Sequence, residues 1–252
     1  DRTSRGLGDV YKRQAFNRPD LLQQQIDSLN KNLEDDDYEH NIVYDTRDNK
    51  YLDDFKSICE KNKINLYHHQ SEPGKTASFY NSDAIQWTYD TIISNYDEDC
   101  IVLFLDHDIF LIDSFDINEF MGEYDLAGPV QPRGPVNYVW QGLLFFKKDS
   151  VAGEDFDFYP KQVQGHLLDS CGGTYTLTDN PRIRYFSTDI EYPDEYDGVD
   201  LKEVDEGYGF ELHLNQKFLH FRNACGWHKD FDVSKVSVKK NTLNVMLENL
   251  NG

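Results

Sequence analysis

Residues 101–108 of this chain read Ile-Val-Leu-Phe-Leu-Asp-His-Asp, an apolar run followed directly by two carboxylates one residue apart. An unbroken apolar run of this length is typical of a strand that is buried on both faces of a sheet. Ligands of open α/β sheets bind at the carboxyl ends of such strands. Asp106 and Asp108 are therefore expected at a ligand-binding edge, where carboxylate oxygens suit Mg²⁺ or Mn²⁺ holding a diphosphate.

The Asp-x-Asp spacing by itself is weak evidence in so acidic a chain. Acidic residues number 46 of 252, and the spacing recurs at 35–37, 97–99, 155–157 and 230–232. None of these repeats follows a five-residue apolar run, so the position after a strand distinguishes 106–108. The alternative interpretation is an acidic turn at a strand end that binds nothing.

Composition limits the class of protein. A hydrophobic content of 38% and a length of 252 residues suit one folded domain. The net charge of −21 argues against nucleic acid, which is bound through its phosphate backbone, and against an anionic membrane surface, and we interpret the charge as favouring solubility. No apolar run reaches the length of a membrane span. The four cysteines lack metal-type pairing, which fits reduced thiols in a cytoplasmic protein: Cys59, Cys100, Cys171 and Cys225.

Strands and helices alternate along the first half of the chain. This alternation predicts an α/β fold with a mixed, mostly parallel central sheet flanked by helices. A first helix is capped by Asn17 with Pro19 in its first turn, and a closing amphipathic helix carries Leu243, Met246, Leu247 and Leu250. The other predicted elements are strands at 41–44, 64–67, 101–105, 138–146 and 218–221, and helices near 51–59 and 75–94.

The first fourteen residues look foreign to the rest of the chain. Residues 8–14, Gly-Asp-Val-Tyr-Lys-Arg-Gln, resemble a translated sequencing adaptor. We therefore interpret 1–14 as a non-native tail and expect the folded domain to span 15–252. On this interpretation little remains of the strand that should precede Ala15. The competing interpretation is a genuine polar tail.

The order of these segments resembles the nucleotide-sugar glycosyltransferases of the type A fold, family 2-like, over about residues 15–230. The resemblance implies a single Rossmann-like domain with a nucleotide-binding half at 15–108, an acceptor and sugar half at 109–232, and a closing helix at 233–252. It also implies transfer of a sugar from a nucleoside-diphosphate sugar to a glycan, lipid-linked or protein acceptor. The matching segments are Phe16-Asn17-Arg18-Pro19, Asp45 after the second strand, Lys75 to Asn81 with Ala84-Ile85, Asp106-His107-Asp108, Trp140-Gln141-Gly142, and His220 to Asn223 with Gly226-Trp227.

The resemblance also implies roles for individual residues. The metal, Mn²⁺ or Mg²⁺, would be held by Asp106, Asp108 and His220, with Asp108 the direct ligand and Asp106 nearer the sugar nucleotide. His220 has an alternative as a strand residue satisfied by a backbone carbonyl. The chemistry of inverting transfer, and not the resemblance, calls for a base at the acceptor hydroxyl. Asp169, before Gly172-Gly173, is the candidate, with Glu154, Asp155 and Asp157 as weaker candidates, and its alternative is a plain Asx turn. The residues implied for donor and acceptor binding are Asn17, Asp45, Lys75, Asn81, Asp106, Trp140 and Gly142.

Two other functions fit parts of the pattern. A haloacid dehalogenase-type phosphatase also places Asp-x-Asp after an apolar strand, but it expects Thr or Val where this chain has Phe110, and its motif lies near the start of the chain. A sugar-binding or degenerate transferase module would have the fold without the catalysis.

Overall fold

The computed structural model describes residues 10–15, 18–35, 37–45, 49–97, 100–151, 157–179, 182–186, 195–196, 199–200, 210–222, 241, 243–245 and 247–248. Its helices are α1 (Pro19–Asn32), α2 (Leu52–Asn62), α3 (Ala77–Thr91), α4 (Ile117–Met121) and α5 (Lys148–Val151), with short 3₁₀ helices at Asn49–Tyr51, Ile93–Asn95 and Gly172–Leu177. Its strands are β1 (Val10–Ala15), β2 (Glu39–Asp45), β3 (Asn65–His69), β4 (Ile101–Leu105), β5 (Ile109–Leu111), β6 (Leu126–Gly128), β7 (Val130–Arg133), β8 (Val136–Val139), β9 (Leu143–Lys147), β10 (Lys161–Val163), β11 (His166–Leu168), β12 (Ile183–Tyr185), β13 (Glu195–Tyr196), β14 (Val199–Asp200), β15 (Phe210–His213) and β16 (Phe218–Phe221).

Seven strands form the central sheet, in the order β12-β6-β9-β4-β1-β2-β3. β1 pairs in parallel with β2 and β4, and β2 in parallel with β3. β9 runs antiparallel to both β4 and β6. The α/β class and the mixed sheet predicted from the sequence are confirmed.

The position of β4 inside the sheet explains why its sequence is apolar without a break. All five residues are buried. Ile101, Leu103 and Leu105 belong to the core on one face, whereas Val102 and Phe104 belong to the core on the other. Alternate side chains of a strand point to opposite faces, so a strand covered on both sides needs apolar residues at every position.

Helix α1 supports the carboxyl end of β4. Its apolar face is fully buried, and two polar side chains on the same side of the helix reach the backbone beyond β4. The Nε2 of Gln25 donates to the carbonyl of Asp106 at 2.8 Å, and the Nδ2 of Asn32 donates to the carbonyl of Leu111 at 2.7 Å. The cap predicted at Asn17 is corrected: the N-cap is Arg18, whose guanidinium pairs with Asp20 in the first turn, and Asn17 lies outside the described residues.

A second sheet lies across the carboxyl end of β4. It contains β15, β16 and β5, all antiparallel, and β5 begins directly after Asp108. The late strand predicted at 218–221 is confirmed as β16. This sheet brings residues more than a hundred positions apart in sequence to the Asp-x-Asp turn.

Two sequence predictions differ from the structure, and a third lies partly outside the described residues. Residues 138–146, predicted as one strand, form the separate strands β8 and β9, because the chain leaves the ladder at residues 140–142. Residues 10–14, excluded from the folded domain, lie in β1, so the domain boundary expected at residue 15 is too late. In the closing helix, Leu243 is buried and Leu247 packs beside it, whereas Met246 and Leu250 lie outside the described residues.

Among the described residues, no helix combines the length and the apolar character needed to cross a bilayer.

Candidate functional site

Asp106 and Asp108 lie on the tight turn between β4 and β5. The N–H of Asp106 donates to the carbonyl of Gly142 at 2.8 Å, and the N–H of Ile109 donates to the carbonyl of Asp106 at 3.1 Å. Asp108 is only 6% exposed. The turn is therefore held from both sides, by α1 and by the segment before β9.

The structure brings Asp108 and His220 together. The N–H of Phe221 donates to the carbonyl of Asp108 at 2.7 Å, which extends the β5–β16 ladder past Ile109, the register partner of His220. The Nε2 of His220 then lies 3.8 Å from Oδ1 of Asp108.

That distance is too long for a hydrogen bond but suits two ligands of one ion. Hydrogen bonds of this kind span about 2.7–3.2 Å. Two ligand atoms that are each roughly 2.1 Å from a shared ion are about 3.0 Å apart when adjacent and about 4.2 Å apart when opposite. The 3.8 Å between the oxygen and nitrogen donors lies between these two values, a separation that one divalent cation can span.

Glu211 contacts the other side of the same imidazole. It is the register partner of His220 across β15–β16. Its Oε2 lies 2.8 Å from Nδ1 of His220 and 3.3 Å from Nε2 of His213, and its Oε1 lies 3.1 Å from Nε of Arg222. Burial alone would raise the pKa of Glu211, but these hydrogen bonds and the Arg222 charge hold the pKa far below its usual range. Glu211 is therefore ionised.

The pKa values of the two histidines shift in opposite directions. Burial disfavours a charged His220, but the hydrogen bond with Glu211 and the charges of Asp108 and Asp106 outweigh it and raise the pKa of His220. Burial lowers the pKa of His213, which is 1% exposed. The Nδ1 of His213 has no hydrogen-bond partner among the described residues, so the contact of His213 with Glu211 uses Nε2.

Glu211, His213 and His220 also form a cluster whose geometry could hold an ion. The 2.8 Å between Oε2 of Glu211 and Nδ1 of His220 is a hydrogen-bond distance, so Glu211 already occupies that ring nitrogen. An ion bound by His220 would therefore use Nε2, on the side of Asp108.

Of two predicted binding residues, Trp140 lies beside His220 and Gly142 lies against the Trp140 ring. The Trp140 ring centroid is 5.1 Å from that of His220. A Cβ atom on Gly142 would come within 2.2 Å of the Trp140 ring, so only glycine lets the ring lie there. Between them, Gln141 is 5% exposed and its Oε1 has no partner in the described part of the chain.

The remaining predicted binding residues lie along β2 and α3. Asp45 is the last residue of β2. Lys75 is exposed before α3, with Nζ 5.1 Å from the Phe79 ring centroid. Asn81 is half-buried on α3, and its Oδ1 has no hydrogen-bond partner among the described residues. No described contact joins Lys75 or Asn81 to the Asp108 cluster.

Asp169 is exposed on the turn after β11. Its Oδ1 accepts the N–H of Ser170 at 2.8 Å, and its own N–H donates to the hydroxyl of Tyr138 at 3.3 Å. These contacts are local, as in the Asx-turn alternative. The role of Asp169 as a base stays a prediction.

Asp83, which stands where the resembling family often has Gly, has a structural role. Its Oδ2 lies 2.8 Å from Nε2 of His69 at the end of β3, and its Oδ1 accepts from the hydroxyl of Tyr159 at 2.9 Å. The Oγ of Ser71 contacts the same Nε2 of His69 at 3.3 Å. These contacts tie α3 to β3 and to residue 159.

The sequence predicted Asp106, Asp108 and His220 for the candidate site, but it did not single out Glu211, which the structure places against His220. The signal was present in Phe210-Glu211-Leu212-His213, where apolar and polar residues alternate as in a half-buried strand. Pairing that strand with 218–221 would have placed an acid opposite His220. The register that does so is set by the turn between the strands, which sequence alone did not specify.

The fold is one that glycosyltransferases adopt. An active-site mutant of the galactosyltransferase LgtC matches with a TM-score of 0.50 at 13% identity, over 94% of this chain and 95% of that one. LgtC in complex with donor and acceptor sugar analogs gives 0.49 at 12%, over 94% and 95%. The mannosyltransferase PcManGT from Pyrobaculum calidifontis, in complex with GDP-Man and Mn²⁺, gives 0.46 at 14%, over 81% and 59%.

No family model and no curated protein matches the sequence. At these identities the similarity to LgtC concerns the fold, and the chemistry of this chain has to be argued from its own residues.

Proposed function

We propose that this chain is a metal-dependent glycosyltransferase with a single Rossmann-like domain of the type A fold. It would move a sugar from a nucleoside-diphosphate sugar to a glycan, lipid-linked or protein acceptor. The observation that carries the proposal is the placement of Asp108 and His220, 3.8 Å apart, at the carboxyl end of β4. The fold shared with LgtC supports it.

Asp108 and His220 would hold Mn²⁺ or Mg²⁺, with Asp106 nearer the sugar nucleotide. A bound divalent ion supplies Lewis-acid stabilisation of the charge that develops on the departing diphosphate. The imidazole of His220 favours Mn²⁺, since Mg²⁺ prefers oxygen ligands.

The other predicted residues fit roles around this centre. Asp45 ends a strand at the same sheet edge and would contact the nucleoside. Asn81 and Lys75, on and before α3, would contact the donor, as would Asn17. Trp140 and Gly142 would line the sugar and acceptor side, because Trp140 lies beside His220 and Gly142 lies against the Trp140 ring. Asp169 would serve as the base for the acceptor hydroxyl.

Nucleotide binding that depends on a metal is the test of this function. UDP, GDP and CDP are screened by thermal unfolding with and without Mn²⁺. A ligand present at about 100 times its Kd stabilises by about 2.7 kcal/mol, which raises the Tm of a chain this size by roughly 5–10 °C. We expect one nucleotide to do so only with Mn²⁺, and Asp108→Asn to abolish the effect. Asp53→Asn, which removes the same charge from an exposed position, should leave it unchanged.

Four results would contradict the proposal. Binding of a nucleotide without metal would contradict the proposed metal site. Failure to bind any of UDP, GDP and CDP would contradict the proposed nucleotide-sugar donor. Release of phosphate from a generic aryl phosphate would indicate a phosphatase. Binding of free sugars without nucleotide would indicate a sugar-binding module.

A further inference from the structure

Three polar side chains meet at one end of the sheet formed by β5, β16 and β15. Glu211 and His220 are directly opposed on an antiparallel pair, so their side chains project from the same face. Asp108 directly precedes Ile109, the register partner of His220 on the other side. The imidazole lies between the two carboxylates, with Nδ1 2.8 Å from Glu211 and Nε2 3.8 Å from Asp108.

The two contacts of the ring are chemically different. Arg222 pairs with Glu211 at 3.1 Å, and a carboxylate paired in this way accepts hydrogen bonds, so an N–H at Nδ1 of His220 makes the 2.8 Å contact. A metal ion bound at Nε2 needs that nitrogen without a proton, which is the tautomer with the proton on Nδ1. The contact with Glu211 thus favours the tautomer that a metal ligand at Nε2 needs.

Glu211 is itself held in place. Arg222 donates to Oε1 at 3.1 Å, and His213 contacts Oε2 at 3.3 Å from a buried position. Both oxygens are therefore occupied by partners that keep the carboxylate charged and oriented. An acid exposed on the surface would not need two such partners to hold its carboxylate in place.

We infer that Glu211 is a positioning residue that orients His220 and strengthens its Nε2 as a metal ligand. The inference rests on the proposed metal site at Asp108 and His220. Carboxylates that accept the second N–H of a ligating histidine raise the basicity of the ring, and their loss typically costs 10- to 100-fold in metal affinity. Because imidazole suits Mn²⁺ better than Mg²⁺, Glu211 would also set the preference for Mn²⁺.

Binding of Mn²⁺ alone, measured by the EPR signal of the free ion, tests this role. We expect Glu211→Gln to weaken Mn²⁺ binding by about 10-fold or more, and to weaken Mg²⁺ binding, measured by competition, by a smaller factor. Glu211→Asp keeps the charge but is one methylene shorter, so it should lose the contact with Nδ1 and weaken Mn²⁺ binding similarly. It also serves as the second variant if Glu211→Gln does not fold. Asp113→Asn is the matched control, because it removes a charge paired with Lys217 at the far end of the same sheet.

A double-mutant cycle separates positioning from a general structural effect. If Glu211 acts through His220, then adding Glu211→Gln to His220→Ala should change the Mn²⁺ affinity by less than twofold. Independent losses that multiply in the double variant would overturn the inference, as would Glu211→Gln binding Mn²⁺ within twofold of the wild type.

The outcomes distinguish this inference from the proposed function. If the wild type binds Mn²⁺, Asp108→Asn abolishes binding and Glu211→Gln does not weaken it, the positioning role is wrong and the metal site stands. If the wild type binds no Mn²⁺ with or without nucleotide, the metal site is wrong and the role of Glu211 falls with it.

Discussion

Gly142 decides how the Trp140 ring lies against the candidate metal ligands. A side chain at residue 142 would meet the ring at 2.2 Å, a distance that real Cβ atoms essentially never show. The carbonyl of Gly142 also accepts the N–H of Asp106. One small residue therefore supports both the Asp-x-Asp turn and the packing of Trp140 on His220.

Gly142→Ala should lower the free energy of unfolding by about 1–3 kcal/mol, because overpacking a filled site displaces its neighbours. Urea denaturation measures this change. If the cause is the Trp140 ring, Trp140→Phe combined with Gly142→Ala should cost less than the sum of the single changes. Additive losses would show that the ring is not the obstacle.

The candidate site was predictable to the extent that local sequence encodes it. Asp106 and Asp108 follow an apolar run, which is a local signal, and the structure places His220 beside Asp108 as the resemblance implied. Glu211 was missed because its contact with His220 depends on a strand register nine residues away in sequence. Register across a turn is a non-local property.

At the scale of single elements, the end of α2 carries a non-glycine residue in a backbone conformation that usually belongs to glycine. Lys63, the C-cap residue that follows the helix, adopts the left-handed conformation, with φ 57° and ψ 40°, and is exposed. Non-glycine residues in this region cost roughly 1–2 kcal/mol, and glycine is the usual residue at this position of a helix. The backbone turn, with the N–H of Ile64 donating to the carbonyl of Cys59 at 2.9 Å, does not need the lysine side chain.

Lys63→Gly should therefore raise the free energy of unfolding by about 0.5–1 kcal/mol. Lys61→Gly, two residues earlier within the helix, removes the same charge but should lower it by about 0.5–1 kcal/mol. Urea denaturation of both variants gives the comparison. Stabilisation by neither, or by both, would show that charge and not backbone conformation governs this helix end.

The element predictions were best where periodicity was strong and failed where composition was misleading. β4 was clear because both of its faces are buried. Residues 138–146 are apolar enough to predict a single strand, but β8 pairs with β7 whereas β9 pairs with β4 and β6, so the chain changes sheets between them. A change of pairing partner leaves no periodic signal.

At the scale of the whole molecule, β1 connects the two parts of the central sheet. It is the only strand between β4 and β2 in the described sheet, and it pairs with both. The sequence did not predict it, because Lys12-Arg13-Gln14 is far more polar than the apolar runs typical of internal parallel strands. The interpretation of 1–14 as foreign in origin stays a prediction, but the backbone of 10–15 belongs to the sheet.

A proline in β1 tests whether these residues are a true internal strand. Lys12 is the register partner of Asn41 on one side and of Phe104 on the other. Lys12→Pro removes the backbone donor at this position, and internal strands tolerate that poorly, so the free energy of unfolding should fall by about 2–4 kcal/mol. Lys12→Ala keeps the donor and should have a much smaller effect. If urea denaturation finds the two variants equally stable, residues 10–15 do not lie between β4 and β2. Another segment would then have to pair with those two strands.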